Sequence, residues 1–538
     1  MPWYHHTTIY QIYPRSFYDS NDDGIGDIQG IIQKLDYIKS IGYETIWCSP
    51  FFKSPQQDFG YDVSDYCDIA PEYGTLTDAQ HLIDEVHKRG MKIVFDMVMN
   101  HTSMEHPWFF KDRSRKTEDR SNTKDFYIWA NKPNNWKSMT GGSGWHYSPE
   151  RGQYYWASFL PFQPDLNYRN PEVKKVMLDN VRFWLKRGVD GFRLDIFNVI
   201  YKDSLLRNNP FSWKAIPDEK NPNGFFQQFK YTINQPESMA FAKELRNVCN
   251  EFDDRMLLGE VSGNRKIIRK FSGDEKNDGL GLVFNFEMLR FKFKAKYFYE
   301  LVSGIEEDFP EPFMPVYVFS NHDRRRSMKR LNNDVRKAKL LALFQLTVRG
   351  VPCMYYGEEI GMTDARIPFK KGLDPIAQKM KNVPRFLFDL AGETPNRDEL
   401  RTPMQWNSSV NAGFSSAQKT WLPVHTNFTE VNVEKEMSNE NSLLKVVQQV
   451  LKIRKEMPAI YSGTLELIRT GELPSNVLAF KRKLEGEEIL VVLNFSNAEK
   501  EISLTEKFSN VLFSSSANEK ISEGKIHLSA YGTMILKK

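Results

Sequence analysis

Short apolar runs alternate with segments of helical periodicity over most of this 538-residue chain, and this alternation constrains the fold more than any other feature. Eight runs are each typical of a buried strand, at residues 8–17, 43–52, 92–100, 191–196, 256–261, 280–286, 314–322 and 351–357. Strands that alternate with helices indicate a parallel sheet, and eight of them in one domain indicate a (β/α)8 barrel, the TIM barrel. We therefore predict an α/β fold of this class.

Two of the intervening helices have clear ends in the sequence. Apolar residues recur at helical spacing from Ile28 to Ile38, and Gly42 follows them as a stop signal. A second helix is predicted to begin at Asn170-Pro171, a cap followed by a first-turn proline, and to end at Gly188. Both patterns support the alternation of strand and helix.

Two long intervals and a change of period divide the chain into domains. The third and fourth runs are much farther apart than one helix requires, and the excess predicts a subdomain inserted after strand three. A second irregular stretch, 362–422, follows the eighth run. Beyond Ser462 the apolar period becomes two, which predicts a small antiparallel β domain. The predicted division is a barrel at 1–101 and 168–462, the insert at 102–167 and a C-terminal β-sandwich at 463–538.

Charge and cysteine content exclude several classes of protein. The 73 basic and 69 acidic residues give a net charge of +4, which is too small over this length to indicate a nucleic-acid-binding protein. The first residues do not resemble a signal peptide, and no run approaches a membrane span. The four cysteines are scattered and form no metal-binding motif. We therefore expect a cytoplasmic protein without nucleic-acid or membrane partners, and leave open whether it is a monomer or a homodimer.

Charged side chains collect where the predicted strands end. The carboxyl ends of the strands of such a barrel form one mouth, which is where catalytic residues lie. Any one charged residue there is most simply a capping or ion-paired loop residue. Several acids together repel one another and raise one another's pKa values, which costs stability and indicates function. The residues predicted at the mouth are Asp96, His101, Arg193, Asp195, Glu260, His322 and Asp323.

Asp195 and Glu260 stand in contrasting surroundings. Arg193 and Asp195 are two residues apart on a strand and share a face, so the guanidinium favours an ionised Asp195. Glu260 follows Met256-Leu-Leu-Gly, a less polar setting that favours the protonated acid. Two carboxyl groups with opposed pKa values are what glycoside hydrolysis requires, because one attacks the anomeric carbon and the other protonates the leaving oxygen. The sequence does not give their separation, on which the stereochemistry depends.

These blocks resemble a known family. Asp96-Met-Val-Met-Asn-His101, Gly191-Phe-Arg-Leu-Asp195, Glu260 in Leu-Gly-Glu-Val and Ser320-Asn-His-Asp323 are similar, in order and spacing, to the signatures of the α-amylase superfamily, glycoside hydrolase family 13. Its oligo-1,6-glucosidase and α-glucosidase branch is resembled by four further blocks: Gln163-Pro-Asp-Leu-Asn167, Gly60-Tyr-Asp-Val-Ser-Asp-Tyr66, Tyr355-Tyr-Gly-Glu-Glu-Ile-Gly361 and Arg401-Thr-Pro-Met-Gln-Trp406. The resemblance covers the whole chain.

The resemblance implies a retaining mechanism with three catalytic acids. Asp195 would be the nucleophile, Glu260 the general acid and then the base, and Asp323 the group that holds the sugar 2- and 3-hydroxyls. Asp96 would support the site without reacting. The implied substrate-binding residues are His101, His322 and Arg193, the pair Asp58 and Arg401 that grips the terminal glucose, Tyr61 stacked on its ring, and Phe159 on the insert. A pocket closed behind that glucose implies exo-action from the non-reducing end of short α-linked oligosaccharides.

A loop near the start of the chain predicts a structural calcium ion. Side-chain oxygens alternate around glycines that permit a tight loop, and hard oxygen ligands suit Ca²⁺. An EF-hand is excluded because its twelfth position would be Gly30, and a plain Asx-rich turn is the alternative. Members of the branch that the chain resembles bind calcium at such a loop. The predicted ligands are Asp19, Asn21, Asp23, the carbonyl of Ile25, and Asp27. No organic cofactor is expected.

Several other functions stay open at this stage. In the branch that the chain resembles, valine after the nucleophile accompanies α-1,6 preference, and alanine or threonine accompanies α-1,4; Ile196 departs from both and is nearer valine. Sucrose isomerisation or transglucosylation would use the same acids. The Arg324-Arg-Arg326 run could instead bind a phosphorylated disaccharide. A non-catalytic, transporter-associated barrel is the remote alternative, since such proteins typically have a membrane anchor and lose catalytic acids.

Overall fold

The computed structural model describes residues 2–116, 118, 121, 123–218, 220–274, 278–390, 392, 394–503, 506, 508–522 and 524–538. Eight parallel strands form one sheet: β1 (Ile9–Ile12), β2 (Thr45–Cys48), β3 (Lys92–Met97), β4 (Gly191–Leu194), β5 (Met256–Gly259), β6 (Gly281–Val283), β7 (Val316–Val318) and β8 (Val351–Tyr355). Their order is β6-β5-β4-β3-β2-β1-β8-β7, and a parallel bridge between Phe284 and Val316 closes the sheet between β6 and β7. Each predicted run contains one of these strands, so the barrel prediction is confirmed.

Helices follow the barrel strands along the chain. The helix predicted at Asn170 begins there, because the Asn170 side chain accepts a hydrogen bond from the backbone N–H of Glu172. The α-helices are Ile28–Gln33, Leu35–Ile41, Leu76–Lys88, Pro107–Arg113, Pro171–Lys186, Pro236–Cys249, Arg265–Phe271, Ala295–Asp308, Ser327–Arg330, Val335–Thr347, Pro375–Lys379, Arg385–Leu390, Val433–Ser438, Leu443–Glu456 and Pro458–Ser462. Short 3-10 helices lie at Trp3–His5, Pro14–Ser16, Phe197–Val199, Phe286–Arg290, Phe369–Lys371, Arg397–Leu400, Val410–Gly413 and Thr470–Glu472.

Side chains alternate between the barrel interior and the layer of helices. Ile9, Trp47 and Val94 belong to the interior cluster, whereas neighbours such as Tyr10 and Ile93 pack outward. Residues two apart on a strand share a face. The alternation continues beyond the end of a strand. A residue two positions after the last interior apolar residue therefore projects into the mouth.

Residues 102–167 form a separate cluster of elements after β3. Its antiparallel sheet has the order Trp129–Ala130, Gln153–Trp156, Trp145–Ser148, and three tryptophans pack together beside it. Isolated bridges from His101 to Asp165 and from Tyr127 to Leu166 attach this segment to the carboxyl end of the barrel. Two further small antiparallel pairs are Phe52–Lys53 with Asp65–Ile69, and Asn223–Gly224 with Gln227–Gln228.

Antiparallel sheets follow the last helix, and the first of their strands begins at Thr464. One sheet has five strands in the order Thr464–Leu467, Val477–Leu484, Glu487–Asn494, Thr533–Lys537, Asn510–Ser514. The other has the order Lys500–Ser503, Lys525–Leu528, Lys520–Ser522. Leu490, Val492, Ile526 and Leu528 share one buried cluster that joins the two sheets. Within the described part of the chain, no helix combines the length and the apolar character needed to cross a membrane.

Candidate active site

The predicted acids project into the mouth because of strand register. Asp96 follows the interior residue Val94 by two positions, and Glu260 follows Leu258 in the same way. Arg193 lies near the end of β4, with Asp195 just beyond it. The structure therefore brings these residues together at one end of the barrel.

One guanidinium group connects the acids. Nη1 of Arg193 donates to Asp96 Oδ1 and to Asp195 Oδ1, each at 2.9 Å, and Nη2 donates to Glu260. Arg193 is only 1% exposed, so its charge is compensated by these carboxyl groups rather than by water. The indole of Trp47 donates a further hydrogen bond to Asp96. Three acids can stay this close because a single cation is held between them.

Burial raises the pKa values of two of these acids, Glu260 and Asp96. Burial raises the pKa of Glu260 to about 8; the Arg193 charge opposes this rise, and the negative charges of Asp195, Asp323 and Asp96 add to it. Burial likewise raises the pKa of Asp96 to about 7, although the Arg193 charge opposes that rise. Glu260 therefore holds a proton at neutral pH, as a general acid must.

Tyr61 and His322 form a stacked pair beside Asp323. Their rings lie 5.4 Å apart and nearly parallel, and the Tyr61 hydroxyl is 2.6 Å from Nε2 of His322. The Gln11 amide donates to Nδ1 of His322 at 2.8 Å, so a neutral ring carries its proton on Nε2, 2.9 Å from Asp323 Oδ2. Burial lowers the pKa of His322 and keeps the ring neutral.

Asp323 is held as a carboxylate. Burial alone would raise its pKa, but the His322 contact and the charges of Arg401 and Arg397 hold the pKa well below its ordinary value. Arg401 Nη2 and Arg397 Nη1 both donate to Oδ1, at 2.9 and 3.2 Å. The carboxylate therefore keeps its negative charge at the pH where Glu260 is protonated.

The arginine next to Asp58 is Arg397, and this corrects the prediction of Arg401. Nη2 of Arg397 donates to Asp58 Oδ1 at 2.6 Å, and the Gln163 amide donates to Asp58 Oδ2 at 3.0 Å. Arg401 is completely buried and donates to the His322 carbonyl and to Asp323, so it supports the pocket from behind. The two arginines lie four positions apart, and the 3-10 helix Arg397–Leu400 turns the first toward the mouth.

Asp374 is a further residue that the sequence analysis missed. It is completely buried and accepts hydrogen bonds from the Arg397 side chain at Nε (3.1 Å) and Nη2 (2.9 Å) and from its backbone N–H (2.7 Å). The same carboxylate caps the helix Pro375–Lys379. Nothing in the aperiodic stretch 362–422 identifies Asp374, because its role depends on a fold that brings it to Arg397.

The mouth residues surround a pocket of about 330 Å³, within the range of roughly 300–1,000 Å³ typical of small-molecule sites. His101 lines the pocket, although its Nε2 is 3.0 Å from the Tyr61 carbonyl. Phe159 also lines it and packs against the His101 ring, 5.5 Å between centroids. Of the predicted substrate-binding residues, four line the pocket: Asp58, Tyr61, His101 and Phe159. The catalytic acids Asp195, Glu260 and Asp323 line it as well. Arg193, His322 and Arg401 do not reach its surface.

Ile196 follows Asp195 in an unusual backbone conformation. Its φ of 36° and ψ of 51° lie in the left-handed region, which a β-branched residue rarely adopts. The side chain lines the pocket and packs in a cluster that includes Met139, Phe159 and Phe229. This strain places an apolar wall directly beside Asp195.

The arginine run 324–326 is divided by the fold. Arg324 lines the pocket, whereas Arg325 pairs with Asp389 at 3.0 Å. Arg326 is only 1% exposed, donates to the Tyr356 carbonyl, and packs over two tyrosine rings. The run therefore does not form one basic surface for a phosphate group.

The predicted calcium loop is built from Asx turns. Side-chain oxygens of Asp19, Asn21 and Asp23 each accept a hydrogen bond from the backbone N–H two residues on, and Asp27 caps the next helix. The oxygens of Asn21 and Asp23 keep a lone pair beyond that bond and suit a hard cation. The Asp19 carboxylate already accepts four hydrogen bonds, from the N–H groups of Asn21, Asp22 and Gly24 and from the Ser415 hydroxyl. Among the described residues, no group of three or more His, Cys, Asp or Glu side chains is placed to hold a metal ion. Calcium therefore stays a prediction.

Comparison with known families agrees with this geometry. The model of the α-amylase catalytic domain matches residues 11–463, most of the chain. The chain belongs to the α-amylase family, glycoside hydrolase family 13. Residues 477–535 match the model of the α-amylase SusG C-terminal domain.

Relatives within the family place the chain in its oligo-1,6-glucosidase and α-glucosidase branch. It is 37% identical to an oligo-1,6-glucosidase of Parageobacillus thermoglucosidasius, over 92% of this chain and 90% of that one. It is 38% identical to a probable α-glucosidase of Rhizobium meliloti, with the same coverage. Among solved structures, the α-glucosyl transfer enzyme XgtA superposes with a TM-score of 0.90 at 36% identity, over 100% of this chain and 99% of that one. The chain is therefore a glycoside hydrolase of this branch, and its substrate is a carbohydrate.

Proposed function

We propose that the protein is a retaining, exo-acting α-glucosidase that removes terminal glucose from short α-linked oligosaccharides. The observation that carries the proposal is the contact of Arg193 with both Asp195 and Glu260, of which Glu260 has a pKa raised to about 8. This arrangement holds a protonated acid and the nucleophile Asp195 on one guanidinium group.

The chemistry proceeds in two steps. Asp195 attacks the anomeric carbon while Glu260 transfers its proton to the glycosidic oxygen, and the leaving sugar departs. Glu260, now a carboxylate, then takes a proton from a water molecule that attacks the glucosyl ester, and Asp195 is released. Two inversions at one carbon retain the α configuration.

Asp323 is placed to stabilise the transition state. A carboxylate kept ionised by Arg397 and Arg401 can accept hydrogen bonds from the sugar 2- and 3-hydroxyls. Those bonds strengthen as positive charge develops on the ring, so they contribute more to the transition state than to the bound substrate.

Exo-action is supported by the end of the pocket. The Asp58–Arg397 ion pair, held by Gln163 and Asp374, lines the pocket, and we propose that it closes the pocket behind the terminal glucose. We expect the same pair to bind hydroxyls of that glucose, since both side chains line the pocket.

We propose a preference for α-1,6 linkages, because Ile196 lines the pocket and its bulk narrows the space beside Asp195. Proton NMR of the protein with maltose and isomaltose together tests linkage and stereochemistry in one experiment. We expect faster loss of isomaltose, with α-glucose appearing before mutarotation. Initial β-glucose contradicts the retaining mechanism, and faster loss of maltose contradicts the linkage preference.

Glucosyl transfer is a second candidate activity. The pocket lining includes a large apolar part, and such a lining disfavours water relative to a bulkier acceptor. Its members are Met139, Phe159, Ile196, Pro217, Phe286, Leu289 and Ile376. The similarity to the α-glucosyl transfer enzyme XgtA supports this candidate. In the same NMR experiment, glucose released in less than the amount of substrate consumed, with new oligosaccharide signals, identifies transfer.

We propose further that the loop 19–27 binds one structural Ca²⁺ through Asp19, Asn21, Asp23, the Ile25 carbonyl and Asp27. The support is the chemistry of the loop, in which Asn21 and Asp23 present hard oxygen atoms with a lone pair beyond their Asx-turn hydrogen bonds. We expect about one calcium per chain in elemental analysis and a lower melting temperature after chelation. Absence of the metal together with an unchanged melting temperature contradicts the site.

The cytoplasmic location, the choice between monomer and homodimer and the three domain boundaries are likewise proposals. Four free cysteines, three of them buried, support a reducing location. The first antiparallel strand at Thr464 supports the boundary after residue 462. Light scattering and limited proteolysis test the oligomeric state and the boundaries.

A further inference from the structure

Two buried serines border the loop that carries His322 and Asp323. This loop, 320–327, follows β7, and Ser320 and Ser327 stand at its two ends. The backbone N–H of Ser327 donates to Ser320 Oγ at 2.8 Å, so the two ends lie side by side. The position of His322 and Asp323 therefore depends on how this closed base is held.

One carboxyl oxygen accepts hydrogen bonds from both serines. The hydroxyls of Ser320 and Ser327 donate to Oε1 of Glu358, at 2.8 and 2.5 Å. Hydrogen bonds from a hydroxyl to a carboxylate are roughly twice as strong as neutral ones. The backbone N–H of Tyr355, the last residue of β8, donates to Oε2 at 3.4 Å. Glu358 therefore attaches both ends of the loop to the neighbouring strand of the barrel.

Glu358 acts on the site through this loop and not through the substrate. It is not among the described residues that line the catalytic pocket. At the tip of the loop, the Asn321 side chain accepts from the Asp323 N–H at 3.0 Å, and the His322 carbonyl accepts from Arg401 at 2.8 Å. The base and the tip are thus held by different residues, and Asp323 keeps its place only when both are held.

The next residue has the same chemistry in different surroundings. Glu359 is buried as well, and its Oε1 accepts from the hydroxyls of Tyr10 and Tyr37, at 2.7 and 2.9 Å. Tyr10 packs outward from the barrel, and Tyr37 belongs to the helix Leu35–Ile41. Glu359 therefore bonds to the helix layer, whereas Glu358 bonds to the loop of the active site.

We propose that Glu358 is a positioning residue for the reaction, because its hold on Ser320 and Ser327 keeps Asp323 where its carboxylate accepts the sugar 2- and 3-hydroxyls. The proposal rests on the proposed α-glucosidase function and deepens it. The bonds made by Asp323 strengthen in the transition state, so displacement of the loop lowers kcat more than it raises KM.

The test compares Glu358→Ala with Glu359→Ala on 4-nitrophenyl α-glucoside and its 2-deoxy analogue. In Glu358→Ala we expect kcat for the glucoside to fall about 100-fold, the cost of misplacing a group by roughly 1 Å. KM should stay within about threefold. On the 2-deoxy substrate, which lacks one of the hydroxyls that Asp323 holds, kcat should fall only about tenfold. Glu359→Ala, the matched control, should keep kcat within about twofold on both substrates and lower only the melting temperature.

Two milder variants decide the question if Glu358→Ala does not fold. Glu358→Gln retains an oxygen that accepts from both serines, and kcat should return to within about fivefold of the wild type. Ser327→Ala removes one of the two hydroxyl donors, and kcat should fall about tenfold on the glucoside and less on the 2-deoxy substrate.

Three outcomes overturn the proposal. Equal losses on both substrates show that Glu358 only stabilises the fold. A loss confined to KM shows that the carboxylate acts on ground-state binding. An equal fall of kcat in Glu359→Ala shows that any buried glutamate at this turn is required. If the wild type cleaves no α-glucoside, the proposed function itself fails; if it cleaves the glucoside and Glu358→Ala keeps the wild-type kcat, only the positioning proposal fails.

Discussion

At Arg193, three carboxyl groups share the donors of one buried guanidinium group. One arginine cannot neutralise three carboxylates, so the acid with the highest pKa is the last to lose its proton. That acid is Glu260, whose pKa burial raises to about 8, above the value of about 7 for Asp96. Competition among buried acids for one cation thus leaves Glu260 as the proton donor beside the nucleophile Asp195.

The pH profile follows from this competition. Catalysis needs protonated Glu260, so kcat/KM for isomaltose should fall as the pH rises through about 8. Asp96→Asn removes a negative charge that raises the pKa of Glu260, and should move this alkaline limb to lower pH. Asp179→Asn, at a half-exposed position, is the control and should leave the limb in place. A limb that stays fixed in Asp96→Asn contradicts the assignment of Glu260 as the acid.

Asp374→Asn tests the support of Arg397. Replacing the buried carboxylate removes an ionic partner and leaves Arg397 less firmly placed against Asp58. We expect kcat/KM to fall about tenfold, mainly through KM, since Arg397 grips the glucose in both the bound substrate and the transition state. Asp389→Asn, in the same irregular stretch and paired with Arg325, is the control. A loss confined to kcat would show that Asp374 acts on the chemical step instead.

Single residues also mark the limit of prediction from sequence. Strand register alone brings Asp96, Asp195 and Glu260 together, because their positions follow from periodicity. The choice between Arg397 and Arg401 depends on how a 3-10 turn in an aperiodic stretch is oriented. No local pattern determines that orientation, so the partner of Asp58 was predicted wrongly.

At the scale of elements, apolar runs predicted the strands but overestimated their length. The run 314–322 contains β7 over only Val316–Val318, because the apolar pattern continues into the loop that carries His322. The helix predicted from Ile28 is two helices separated at Lys34, whose amine lies 3.9 Å from the Tyr18 ring centroid and 4.5 Å from that of Trp406. Such tertiary contacts end elements where the sequence pattern would continue them.

The turn after β4 offers a prediction at this scale. Ile196→Ala leaves the path of the backbone unchanged but removes most of the apolar side chain that lies beside Asp195. We expect the ratio of kcat/KM for isomaltose to that for maltose to fall about tenfold, the scale of a lost methylene contact in an apolar pocket. Ile196→Val preserves branching and should change the ratio little. An unchanged ratio in Ile196→Ala would mean that linkage is selected elsewhere.

Across the whole molecule, a buried arginine attaches the C-terminal sheets to the barrel. Nη1 of Arg482 donates to the Thr347 carbonyl at the end of a barrel helix, and Nη2 donates to the Gly463 carbonyl, both at 2.7 Å. On the barrel side of this junction, Arg454 of the helix Leu443–Glu456 donates to the carbonyls of Leu346 and Gly350. Because these carbonyls are buried at the junction, the two parts should unfold together.

Arg482→Met should lower the free energy of unfolding by about 3 kcal/mol, since it leaves buried carbonyl groups without donors. Urea denaturation followed by tryptophan fluorescence and by circular dichroism measures this change. Arg336→Met, on the exposed side of the helix Val335–Thr347, should cost far less. Separate transitions for the two probes in the wild type would contradict a coupled junction.

The ion pair between Asp58 and Arg397 joins positions that are 339 residues apart. A ribosome adds about 5–20 residues per second, so roughly 20–70 s pass between the synthesis of the two side chains. Asp195 and Glu260 are synthesised well before Arg397. A nascent chain therefore contains its catalytic residues before it can bind a sugar. The enzyme should be inactive during translation and become active only when nearly the whole barrel has left the exit tunnel.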